Sequence, residues 1–285
     1  MARNSNGESA FSRTVRVLEA FGPRTPALTV SELSRRTGIS MPTVSRLVSE
    51  LIEHGWLVRD AERSVRVGVR MWELASRAAP AVELCRVAQP YAVELLGSVG
   101  HHVQISVRQG RDMVVVERLS ALDAVHSNGR YADRLPLLAS APGLVLLAHT
   151  SPEFQESLLT EDPSGRSATD PALLRRRLNE IRSTGCAYCP GMPDPDVTVI
   201  AVPLRAPGGR VMAALSVAVP NGERARGALA AVSRTGARIS QAYAERNHAN
   251  ATAPAHRHSG EGRRTVSHNR PVPVPHTRRS TGPIG

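Results

Sequence analysis

Apolar positions along this chain recur with a helical period, then alternate, then return to a helical period. The pattern is densest from Leu28 onward. Thr29-Val30-Ser31-Glu32 has the form of a capping box, in which Thr29 accepts from the Glu32 amide and Glu32 reaches back. Leu33 turns inward, and Thr37-Gly38 suits a helix end because glycine takes the left-handed cap without strain. Ile39 is placed to anchor between two helices, and Ser40 to cap the second, with Pro42 tolerated in its first turn. Val44, Leu47, Val48, Leu51 and Ile52 then fall at offsets 0, 3, 4, 7 and 8, which is one buried helical face. The opposite face offers Thr43, Ser45, Arg46 and Ser49, small hydroxyls and one guanidinium. Such a surface fits a major groove about 12 Å wide. After His54-Gly55, a strand from Trp56 to Arg59, a turn from Asp60 to Arg63 and a return strand with Val65, Val67 and Val69 alternating against Ser64, Arg66 and Arg70 make a hairpin. Ahead of this unit, Val15, Leu18 and Phe21 mark a helix from Ser12 to Phe21, stopped by Gly22-Pro23. Residues before Phe11 are polar and expected to be disordered. The sum is a winged helix-turn-helix over residues 11–70, a reader of double-stranded DNA.

Met71, Trp72, Leu74 and Ala75 predict a linker helix over 71–79. Pro80 interrupts it, and Val82, Cys85, Ala88 and Leu95 mark a further helix ending near Gly97. The period then falls to two. Val103 to Val107 and Met113 to Leu119 flank Gln109-Gly110-Arg111-Asp112, a hairpin. A loop follows, then short helices from Ser140 to His149 and from Glu153 to Leu159. Pro171 opens a helix carrying Leu174, Leu178 and Ile181, closed by Gly185. Two apolar strands, Val197 to Leu204 and Val211 to Val219, precede an amphipathic helix from Gly222 to Tyr243. Hairpins mixed with helices predict an α+β domain over 80–245.

Composition changes this picture only at the end of the chain. Of the formal charge of +11, six excess positive charges fall in residues 246–285, where seven arginines face Glu261 alone. Apolar periodicity is absent there, so a disordered basic tail is expected. It would either add sequence-independent phosphate affinity or be a solvated extension. Because the excess sits in the tail, net charge by itself argues weakly for specific DNA binding. No run of about 18 apolar residues appears, so no membrane span is expected. The amino-terminal residues lack the apolar core of a secretory signal, so the cytoplasm is the expected compartment.

Three cysteines are too few for a disulfide framework. Cys186-Ala187-Tyr188-Cys189 is a single C-x-x-C, and Pro190-Gly191-Met192-Pro193 after it predicts a loop rather than a reactive helix start. It reads as loop or pocket-lining cysteines, with a redox or metal sensor as the alternative. No second C-x-x-C offers zinc its remaining ligands. His101-His102 reads as a strand end. No catalytic triad order, phosphate-cradling glycine loop or defensible carboxylate pair is visible, and Ser140 near Gly143 is not a nucleophile elbow. Neither an enzyme activity, a cofactor nor a metal is expected.

"ELSRRTGISMPTVSRLVSELIEHGWL" (Glu32 to Leu57), "RLPLLASAPG" (Arg134 to Gly143) and "TVIAVPLRAPGGRVMAALSVAVP" (Thr198 to Pro220) resemble the IclR family of bacterial transcriptional regulators. The resemblance covers roughly residues 11–243. It implies a winged helix, a linker helix and a GAF-like effector-binding domain, in a protein that binds an operator as a homodimer or dimer of dimers. It implies a repressor, more than an activator, responsive to a small-molecule effector. Carried over residue by residue, it puts Ser40, Pro42, Thr43, Ser45, Arg46 and Ser49 on the groove face and Arg63 and Arg66 on the wing. Arg46 is either a fork onto guanine or a phosphate clamp. The same resemblance implies effector contacts at Ala139, Ser140, Ala141, Gly143, Cys186, Cys189, Val199 and Ser216. Cys189 stands where the family often has an acid, and Pro142 removes an N–H from the loop that usually holds a ligand carboxylate. The alternative function is a cysteine-dependent redox sensor, or a GAF-type reductase of small molecules, working through Cys186 and Cys189.

Overall fold

A computed structural model describes residues 8–122, 124, 132–160, 170–192 and 194–252. Helix α1 (Ala10–Glu19) starts earlier than its apolar spacing suggests, because Ser9 caps it by accepting from the Ser12 amide. Glu8 also pairs with Arg16 at 3.0 Å, so order begins before Phe11. Helix α2 (Val30–Thr37) has the complete capping box at Thr29 and Glu32, and ends on Gly38 at φ +66°. Arg16 ties α1 to it by donating to the Thr37 carbonyl.

Helix α3 (Met41–Glu53) buries Val44, Leu47, Val48 and Leu51 against Val17, Leu28, Leu33, Ile39, Leu57 and Val65. Ser40 makes no side-chain cap bond to this helix; its hydroxyl lies 2.9 Å from that of Thr43 instead. Strands β2 (Leu57–Arg59) and β3 (Val65–Val67) form the wing, and β1 (Ala27–Leu28) adds a third strand on β3. The return strand stops at Val67 because Gly68 passes against the backbone of Gly55; a Cβ there would lie 2.2 Å from the Gly55 carbonyl oxygen. Val69 therefore opens helix α4 (Val69–Ala78), the linker, which has no buried residue.

Helix α5 (Pro80–Val99) runs past Gly97 to a left-handed cap at Gly100. Strands β4 (His102–Gln109) and β5 (Asp112–Ser120) make the expected hairpin. A short strand β6 (Arg134–Pro136) pairs with β5 where only loop was expected. Helices α6 (Ala141–Ala148), α7 (Pro152–Thr160) and α8 (Pro171–Thr184) follow, then β7 (Ala187–Pro190), β8 (Val197–Arg205), β9 (Val211–Pro220) and α9 (Glu223–Thr252). The sheet is antiparallel throughout, in the order β6-β5-β4-β9-β8-β7. Helices α5 and α9 cover one face; α6, α7 and α8 cover the other. Every residue of α6 is buried, which explains its all-round apolar composition. Leu144 and Leu147 each contribute roughly 1.5–3 kcal/mol by that burial.

Helix α9 continues well beyond Tyr243, so residues 246–252, assigned above to the tail, are helical. Alanine, glutamate and arginine extend a helix without needing an apolar stripe. The rest of the expected basic tail, 253–285, lies outside the described residues.

Candidate DNA interface and effector site

The solvent side of α3 presents Met41, Pro42, Ser45, Arg46, Ser49 and Glu50, with Thr43 half-buried beside Ser40. Arg46 lies 3.6 Å from Glu50, both well exposed. Such a surface pair contributes only about 0.3–0.5 kcal/mol and leaves the guanidinium free to move. On the wing, Arg66 is held by Asp60 at 3.0 Å. The Asp60 carboxyl sits below its ordinary range: partial desolvation raises it, but the Arg66 bond and the Ser64 and Glu62 amides outweigh that. Arg63 occupies the turn in the left-handed region at φ +64° and is exposed. Arg59, which the sequence reading passed over, donates to the Arg63 carbonyl at 3.3 Å and adds a cation to the same edge.

In the second domain, strand register sets out the sheet face beneath α6 and α8 in rows. One row runs Cys189, Val199, Ala218, His102, Ser120 across β7, β8, β9, β4 and β5. The next runs Ala187, Ala201, Ser216, Gln104, Arg118, and a third brings Ala214, Ser106 and Val115 together. His102, Gln104, Ser106 and Ser216 are all buried, an unusual polar load for a sheet face. The Ser106 hydroxyl has no hydrogen-bond partner among the described residues. His102 Nδ1 lies 2.9 Å from the Ser120 hydroxyl, and Arg118 lies against the same ring and hydroxyl.

At the opposite end of the row, Arg177 of α8 donates to Cys189 Sγ at 2.9 Å. Burial pushes the Cys189 thiol up, and Arg177 only partly pulls it back. At the start of α6, Ser140 Oγ accepts from the Gly143 amide at 3.2 Å and donates to Met113 Sδ. The Ser140 carbonyl takes the Leu144 amide at 2.9 Å, and Pro142 has none.

Both halves of the chain match family models: the IclR helix-turn-helix domain over residues 10–61, and the bacterial transcriptional regulator IclR C-terminal domain over residues 76–242. The chain belongs to the IclR family. This IclR-family regulator is 36% identical to an IclR homologue from Microbacterium hydrocarbonoxydans solved in complex with 4-hydroxybenzoate. The TM-score is 0.77, with 82% of this chain and 99% of that one covered. A putative IclR regulator from Silicibacter superposes with TM-score 0.71 at 27% identity, covering 83% and 96%. Among named regulators, XynR of Escherichia coli is 26% identical over 73% of this chain and 84% of its own length. KipR of Bacillus subtilis is 29% identical, with 56% of this chain matching 66% of that protein. The chain is thus a ligand-responsive, DNA-binding transcriptional regulator, and its relatives are regulators by name.

Of the effector residues named from sequence, the IclR-family fold brings Ser140, Ala141 and Gly143 to the buried start of α6, and Cys189, Val199 and Ser216 to the sheet face beneath it. Ala139 is exposed in the turn before α6. Cys186 is a correction. The sequence predicts a loop at C-x-x-C, but Cys189 lies in edge strand β7, where side chains alternate. Cys189 packs on the α6 side, whereas Cys186 and Tyr188 pack with α5 and α9. The two sulfurs therefore address opposite sides of the sheet, which removes the paired-cysteine chemistry of the redox reading. Cys85 lies apart from both: burial, reinforced by Glu117, pushes its thiol up to about 11. Among the described residues, no three His, Cys, Asp or Glu side chains cluster to hold a metal ion, and no helix is long and apolar enough to cross a membrane.

Apart from Ser216, the buried polar residues of this face are not among the site residues expected from sequence. Gln104 and Ser106 alternate with apolar Val103, Ile105 and Val107, which signals a strand with one wet face. That this face is buried depends on α6 lying over it.

Proposed function

We propose that this IclR-family chain is a cytoplasmic repressor that acts by binding rather than turnover, as a homodimer or a dimer of dimers. Two winged helices read operator half-sites about 34 Å apart or a multiple of it. A small-molecule effector on the buried polar face changes that affinity through the linker helix. The carrying observation is the exposed face of α3, hydroxyls and one loosely held guanidinium on a rigidly packed helix. Ser40, Pro42, Thr43, Ser45, Arg46 and Ser49 form the groove surface, with Arg63 and Arg66 on the flanking backbone. Arg66 must loosen Asp60 to reach a phosphate, so it contributes less than Arg63. The effector is a small aromatic acid of the kind bound by the Microbacterium homologue, in contact with Ser140, Ala141, Gly143, Cys189, Val199 and Ser216.

Binding of the full-length protein to its own upstream DNA, with scrambled DNA as competitor at near-physiological salt, tests the reading. Arg46→Ala should weaken binding by about tenfold to a hundredfold, the worth of a bidentate base contact. Relaxed specificity at one base position marks direct readout; uniform weakening with a shallower salt slope marks a phosphate clamp. Equal affinity for scrambled DNA in the unaltered protein would sink the operator reading.

A further inference from the structure

Arg177 is a half-buried cation of the effector domain that has no charged partner among the described residues. It projects from the half-buried flank of α8, beside Leu174, Leu178 and Ile181, onto the α6 side of the sheet. Its hydrogen bond goes to Cys189 Sγ, and among the described residues it makes no ion pair. Other arginines nearby are engaged differently: Arg175 pairs with Glu156 at 2.7 Å, and Arg182 donates to the Ala148 carbonyl at 3.0 Å. A guanidinium is charged at any pH the fold survives and carries five donors in a planar fork. A buried neutral thiol satisfies one of them weakly.

The three rows beneath α6 carry no aspartate or glutamate that could serve as counter-charge. They do carry Ser216, Gln104, and Ser106 with its unpartnered hydroxyl. From β7, where Cys189 lies, to β9, where Ser216 lies, is two strand spacings, about 10 Å. A benzene ring with a polar group at each end bridges that span with its hydrogen bonds. The helix start that would otherwise hold an anion is poor in donors, since Pro142 has no N–H and Ser140 occupies the amides of Gly143 and Leu144.

Resting on the effector reading above, we infer that Arg177 is the anion anchor of the effector site, taking the carboxylate of a small planar acid whose far end meets Ser216 and Gln104. Cys189 is then a positioning residue: its sulfur holds the guanidinium over the row when no acid is bound, and its lack of charge leaves the fork available. A carboxylate accepts two parallel N–H bonds from that fork, which an amide of the same shape cannot do with comparable strength.

The test compares 4-hydroxybenzoate with 4-hydroxybenzamide by calorimetric titration of the full-length protein. The acid should bind about tenfold or more tighter than the amide, the worth of a charge-assisted pair. Arg177→Gln should bring that ratio to about one by weakening the acid alone, and Arg177→Lys should keep a reduced preference, since charge remains without the fork. Arg118→Gln should keep the full ratio of the unaltered protein. An unchanged ratio in a folded Arg177→Gln protein would show that Arg177 merely pins β7, and overturn the inference. So would an unaltered protein that binds neither probe, or one that loses the ratio in Arg118→Gln and keeps it in Arg177→Lys and Arg177→Gln. Operator preference measured on the same samples separates the two failures. If operator preference persists, an unchanged ratio in a protein that binds the acid overturns the inference alone, and binding of neither probe takes the aromatic-acid effector reading with it; if operator preference too is absent, the regulator reading falls as well.

Discussion

At Gly143 the second turn-to-helix junction of the effector domain passes so close to its own backbone that one carbon decides the fit. A Cβ there would lie 2.2 Å from the Leu137 carbonyl oxygen and 2.9 Å from its Cα. No rotamer change relieves a clash with backbone, so Gly143→Ala must part the Leu137–Ala139 turn from α6. Overpacking of this kind costs about 1–3 kcal/mol, and the backbone partner places it at the upper end. The expected result is a urea midpoint lowered without change in slope. Gly227, on the exposed side of α9 with open space around it, is the control, where Ala should be neutral or slightly stabilising. A loss at Gly143 no larger than at Gly227 would show that the turn is free to move. This constraint was invisible in the sequence. "SAPG" marked a helix start there, but not that Leu137 folds back over it. The Cys186 error has the same origin, because Pro190-Gly191 reads as a loop locally while pairing with β8 makes the preceding residues a strand, and strand parity then separates the two sulfurs.

Elements were legible where they carry their own signals. The capping box, the α3 stripe and the β4–β5 turn are local features, and each holds in the fold. Of the elements that sequence reading missed, β1 and β6 are two and three residues long and exist only because β3 and β5 offer them an edge, as β8 does for the four residues of β7. Ser40 shows the limit of propensity: a good capping residue in the right place whose hydroxyl turns to Thr43. Thr29 is the contrasting case, with its side chain on the Glu32 amide at 3.2 Å and Glu32 on the Thr29 amide at 2.8 Å. The bonds its carboxylate accepts from the Thr29 amide and, at 2.9 Å, the Thr29 hydroxyl hold Glu32 below its ordinary range. Because α2 is only eight residues long, its stability rests on this cap and on Leu33. Thr29→Ala should cost about 1 kcal/mol in denaturant unfolding, while Ser40→Ala should cost a few tenths at most. Equal costs at the two positions would mean that the cap geometry does not carry α2.

At the scale of the whole molecule, α4 is the element that its own chain does not explain. It is ten residues long, buries none of them, and leaves Val69, Trp72 and Leu74 exposed at 66%, 69% and 48%. An isolated helix shorter than about 12–15 residues is marginal in water, so tertiary or quaternary cover has to hold it. Position and sequence both point to a second copy: α4 directly follows the wing, and a two-fold partner there would fix the spacing of two readers on one operator. The covered apolar surface would then set the geometry that the effector domain perturbs. Trp72→Glu puts a charge into that contact while leaving both cores untouched. The altered protein should sediment as a monomer at concentrations where the unaltered one is dimeric. Its operator affinity should fall by about tenfold or more, because the second half-site no longer binds as a tethered event. The effector should still bind, since α4 lies outside the polar rows, with its affinity shifted only by the coupling between effector and reader. A Trp72→Glu protein that stays dimeric with full operator affinity would move the subunit contact off the linker, and the route from effector to reader with it.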